Sequence, residues 1–124
     1  MPAEYRIDVE RGLVLSRAWG VLTDHELLEH QRTLGADPDF YPALNQIFDF
    51  REVTISRVTA TGIKQLAQHN VFRSGSRRVF TVLQGALVIF GSLRMFELLT
   101  EATPDELRVQ FGDLPGAERW VGAA

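Results

Sequence analysis

The 124-residue chain contains no cysteine. That absence removes disulfides, thiolate metal sites and a cysteine nucleophile, and it fits a reducing compartment, the cytoplasm being the expectation. An excess of one charge sign is also missing. Thirteen basic and 16 acidic side chains leave a formal charge of −3, so no broad positive field gathers a phosphodiester backbone. Long apolar runs are absent too: the longest, from Gly85 through Phe90 to Leu99, is broken by Ser92, Arg94 and Glu97 and is too short and polar to span a bilayer. Residues 1–10 lack the apolar core of a secretory signal. Nucleic-acid binding, membrane insertion and export are not expected.

Present instead is an ordinary globular balance of 45% apolar and 23% charged residues, enough for a single core over residues 1–124. Tyr5, Ile7 and Val9 alternate with charged neighbours as a strand with one wet face, and Arg11-Gly12 turns the chain into a second strand over Gly12–Trp19. Thr23 and Glu26 form a capping box for a helix from Asp24 to Ala36, which the Asp37-Pro38-Asp39 loop ends. Gln46–Phe50 reads as a buried strand ending at Asp49 to Arg51. Thr59 or Thr61 caps a helix to Asn70, Arg77–Leu83 is a strand, and Gly85–Glu101 is a helix stopped by Thr103-Pro104-Asp105. Leu107, Val109 and Phe111 mark an edge strand, and Asp113 caps a terminal helix. The order β-β-α-β-α-β-α-β-α predicts an α/β fold: a mostly parallel five-stranded sheet flanked by helices, with an antiparallel N-terminal hairpin at one side.

Several stretches resemble the SpoIIAA-like family, related to the STAS domains of anti-sigma-factor antagonists and distantly to the CRAL-TRIO lipid-binding fold. They are Tyr5-Arg6-Ile7, Gly20 to Leu27, Asp37-Pro38-Asp39-Phe40, Phe48 to Thr54, Phe90 to Phe96 and Ala117 to Trp120, which together span nearly the whole chain. The resemblance implies a non-catalytic regulatory or protein-interaction module. It also implies that Thr61, standing where those antagonists carry a phosphorylated serine, accepts phosphate. Here the surrounding signature is Thr59-Ala60-Thr61-Gly62 rather than Asp-Ser-Ser-Gly. The alternative for Thr61 is a helix cap beside a close-turning glycine.

Open α/β sheets collect ligands beyond the carboxyl ends of their strands, which points to Asp49 and Arg51, to Gln84, and to Thr61 and Gly62 as ligand- or partner-binding residues. Asp49 and Arg51 pairing with each other is the competing reading. The basic stretch Arg73-Ser74-Gly75-Ser76-Arg77-Arg78 reads as a solvated loop, and His25 and His30, beside Glu26 and Glu29, read as a solvated helix face without the ligands a metal needs. No catalytic set, metal site or cofactor is expected.

The helix over Gly85–Glu101 is apolar around far more than the roughly 100° that covering a sheet requires. A neighbouring helix, an apolar ligand or a second copy of the chain could meet the excess, and Phe90, Leu93, Met95 and Phe96 are the interface residues expected of a homodimer. Two functions follow as expectations: a regulatory module with an unidentified protein partner, or a carrier of a small apolar or lipid-like ligand.

Overall fold

In the computed structural model, which describes residues 2–73, 75–103 and 105–122, the chain forms an α/β fold. The order is β1 (Ala3–Asp8), β2 (Leu13–Thr23), α1 (Asp24–Gly35), β3 (Asn45–Arg57), α2 (Ala60–Gln68), β4 (Arg78–Val82), α3 (Leu87–Leu99), β5 (Leu107–Phe111) and α4 (Leu114–Trp120). One sheet runs β1-β2-β3-β4-β5; β1 and β2 are antiparallel and the remaining pairs parallel. Ser74 of the basic stretch and Pro104 after α3 lie outside the described residues.

Side chains alternate across a strand, and that alternation divides the core into two faces. Phe48 and Phe50 of β3 and Phe80 and Val82 of β4 point to one face, where they meet Leu27 of α1, Ile63 and Leu66 of α2, and Leu93 and Phe96 of α3. Leu13, Ile47 and Val79 point to the other and meet Ala117 and Val121 beside α4. Three helices thus cover one face and one short helix covers the other.

Two differences from expectation bear on the site. β3 does not stop at Arg51 but continues to Arg57, because β2 also continues to Thr23 and the two pair through Trp19↔Glu52, Val21↔Ile55 and Thr23↔Arg57. This ribbon reaches past β4, so its side chains are partly solvated, and its charged residues look like loop in the sequence. At α2 the cap is Thr59, whose hydroxyl accepts from the Gly62 N–H at 3.0 Å; Thr61 lies inside the first turn and caps nothing.

Candidate functional site

The helix-covered face carries a row of polar side chains in an otherwise apolar setting. Gln46 and Arg78 are register partners near the amino ends of β3 and β4, and Ser16 on β2 pairs with Phe48 two residues further along, on the same face. His30 comes down from α1, on the same helical face as Leu27, Gln31 and Leu34. All four polar side chains are buried: Ser16, His30, Gln46 and Arg78. This overturns two expectations. His30 is not on a solvated helix face, and Arg78 is not in a solvated loop.

Their hydrogen bonds form a chain. The Arg78 Nε–H donates to Gln46 Oε1 at 3.2 Å, and the Gln46 amide donates to Ser16 Oγ at 3.1 Å. The Ser16 hydroxyl lies 3.0 Å from His30 Nε2. Arg78 can only donate, so it fixes which end of the Gln46 amide faces it; the Ser16 hydroxyl, with a second lone pair and a hydrogen still free, bonds His30 Nε2 in either tautomer of the ring. Burial, reinforced by the positive charge of Arg78, lowers the His30 pKa to about 4, which leaves the ring neutral. Edge-on contact with Tyr5 at 5.7 Å and tilted packing on Phe48 at 4.7 Å hold the ring in place.

Arg78 is the unusual member of the chain. Burial lowers its pKa to about 9, so it remains a cation at neutral pH. Its guanidinium lies 4.2 Å from the Phe72 ring centre, 5.2 Å from Phe80 and 5.3 Å from Phe96, and Asn70 Oδ1 accepts from its NH1 at 3.2 Å. Among the described residues no carboxylate pairs with it.

Beside Arg78 the three helices and the sheet leave a cavity of about 40 Å³. Phe48, Phe50, Ile63, Leu66 and Leu93 line its apolar part; His30, Gln46 and Arg78 bring polar atoms to its wall. On its other side Arg78 borders an outer cleft of about 110 Å³, shared with Asn70, Phe72, Ser76 and Thr100. Arg78 and Phe72 therefore line both spaces.

The residues expected beyond the strand ends are not brought together. Asp49 and Arg51 have the strand parity of Ile47 and so lie on the face of α4, where Arg51 Nε and NH2 each donate to the Asp49 carboxylate at 2.9 Å. Asp49 borders a surface recess there with Arg17, Leu114 and Glu118. Thr61 and Gly62 are across the sheet at the start of α2, and Gln84 is exposed in the turn after β4. The start of α2 already holds an anion: Asp24 Oδ1 accepts from the Thr59 N–H at 2.8 Å and Oδ2 from the Thr59 hydroxyl at 2.5 Å. Gly62 is needed for this contact, since a Cβ there would land on the Asp24 carboxylate.

The expected interface residues divide as well. Leu93 and Phe96 are in the core, at 4% exposure each, and Met95 packs against that core. Phe90 is half-buried because it stacks on Phe111 with ring centres 4.4 Å apart. The exposed apolar side chains of α3 are Leu87, Val88, Leu98 and Leu99.

Among the described residues no group of acidic and histidine side chains could hold a metal ion, and no helix is long and apolar enough to cross a membrane. No protein-family model matches the chain, and no curated protein matches it.

Proposed function

We propose that this domain is a binding module for a small, mainly apolar molecule held between the sheet and α1, α2 and α3. The observation that carries this reading is the cavity: a space lined by phenylalanine and aliphatic side chains with a few convergent polar groups at one end, the usual composition of a ligand site. The lipid-binding side of the SpoIIAA-like resemblance agrees with it. Uncharged 1-pentanol, titrated while backbone amide resonances are followed, is the direct test. Millimolar binding with shifts concentrated at Phe50, Ile63, Leu66 and Leu93 is expected, and Leu66→Phe, which fills the space, should abolish them. Shifts scattered over the surface, or none, would refute the reading.

A protein-partner reading is favoured by one observation, the exposed Leu87, Val88, Leu98 and Leu99 on α3. Leu87 and Leu98 are eleven residues apart and return to the same side of the helix, so they form a single stripe with Gly91 and Arg94 between them. A second copy of the chain is one occupant for it. Phosphorylation of Thr61 as the switch for such a partner is less well supported, since the phosphate would arrive beside the Asp24 carboxylate.

A further inference from the structure

We propose that the ligand is a short-chain monocarboxylate, its carboxylate bound by Arg78 and its apolar tail directed inward toward Phe50 and Ile63. This rests on the cavity reading above and adds the charge and size of the molecule bound.

The charge follows from the surroundings of Arg78. A buried cation is normally paired, and breaking such a pair is costly because the remaining charge has lost its solvent. Arg78 has only 8% of its surface exposed and, among the described residues, its side chain bonds only to the neutral Gln46 and Asn70 side chains. The faces of Phe72, Phe80 and Phe96 replace part of the lost hydration, but a methionine would fill the same space among three aromatic rings without any charge to desolvate. The positive charge serves something brought from outside. A guanidinium has five N–H donors in a planar fork; two are used here, and a carboxylate matches the fork's geometry with two parallel hydrogen bonds.

A single buried cation selects a single negative charge. His30 is neutral, so it cannot balance the second charge of a phosphate monoester. Arg73, at the rim of the outer cleft, is exposed and suited to attracting an anion rather than to neutralising one inside. Glu106, also on that cleft, has its carboxylate held by the N–H groups of Gly75 at 2.6 Å and Thr103 at 3.1 Å.

Size follows from the volume. A cavity of about 40 Å³ holds about three water-sized groups. A tail of three or four carbons fits, entering past Arg78 from the outer cleft until the carboxylate meets the guanidinium. A longer chain would require α2 and α3 to separate.

Pentanoate and 1-pentanol, titrated calorimetrically and by amide shifts into wild-type protein and Arg78→Met, test the assignment. The wild type should bind pentanoate at least tenfold more tightly than pentanol, with octanoate weaker than pentanoate. Arg78→Met should bind the two equally. Pentanol binding with no preference for pentanoate, or a preference that survives in Arg78→Met, would overturn the carboxylate site while leaving the cavity reading intact. Failure of both ligands to bind would remove the cavity reading and this inference together. Pentyl phosphate binding more tightly than pentanoate would overturn the monocarboxylate assignment. The wild-type ratio decides the matter even if Arg78→Met does not fold.

Discussion

Two arginines on opposite faces of the sheet receive opposite treatment. Arg51, on the face of α4, is partly solvated and held by a carboxylate two residues away, Asp49, with both oxygens accepting at 2.9 Å. Arg17 on the same face follows this pattern, reaching Glu4 at 2.6 Å and Glu52 at 3.2 Å and covering the Trp19 ring at 4.5 Å. Arg78, on the face of α1, α2 and α3, is buried with neutral amides and aromatic rings. Arg51 and Arg17, which water reaches, have carboxylates beside them; Arg78, from which water is excluded, has none among the described residues. Self-contained ion pairs need no ligand, whereas a buried cation without a counter-ion is poised for one. The helix-covered face is on this ground the one proposed to bind a ligand, and the contrast can be attacked experimentally at three points.

His30 should give the largest effect. Its folded pKa is lowered to about 4, while an unfolded histidine titrates near 6.5. Between those values the unfolded chain binds a proton that the folded chain does not, so unfolding is favoured as pH falls through this window. The stability contributed by the neutral ring is fully present above pH ~6.5 and lost by pH ~4, a difference of roughly 3 kcal/mol. Denaturant midpoints measured across pH 4–7 should show this slope, and His30→Gln should flatten it. An imidazole resonance titrating near 6.5 in the folded protein would remove the basis for the prediction.

Arg78→Met should act in the opposite direction on the free protein. Replacing an uncompensated buried charge by an apolar side chain of similar length commonly stabilises, and a gain of roughly 1–3 kcal/mol is expected. The Gln46 carbonyl, left without its donor, reduces that gain. A higher unfolding temperature for the variant would mean that the charge is retained for something other than folding. A loss of stability would instead place Arg78 with the structural ion pairs of the other face.

The fold was readable because its signals are local: period-two charge alternation in β1, the Thr23 cap of α1, the Asp113 cap of α4, and prolines in the loops between. The candidate site was readable only in part. His30 had a signal, since its spacing from Leu27, Gln31 and Leu34 puts it on the core face; its acidic and histidine neighbours obscured this. Arg78 had none. Its burial arises from register with Gln46 on β3 and from Phe96 on α3, which join Phe72 and Phe80 around it, and no pattern within Arg73–Arg78 encodes that. Asp49 and Thr61 seemed to converge because both follow β3 in sequence, but strand parity and the extension of β3 to Arg57 put the sheet between them.

The smallest effect belongs to Asp49 and Arg51. Burial alone would raise the Asp49 pKa, but the two hydrogen bonds from the Arg51 side chain, a third from its backbone N–H at 3.0 Å, and the charges of Arg51 and Arg17 outweigh it and leave the pKa below its usual value. Stability from this pair is therefore present above the ordinary aspartate range and is lost as pH falls through the depressed pKa, below the window in which His30 acts. Because the Arg51 side chain is 38% exposed, solvent screens the interaction and Asp49→Asn should cost less than about 1 kcal/mol, diminishing further in high salt. The same substitution should leave pentanoate binding unchanged, since Asp49 faces away from the cavity. Weaker pentanoate binding in Asp49→Asn would show that the two faces are coupled and that the sheet does not divide the molecule into a structural half and a functional half.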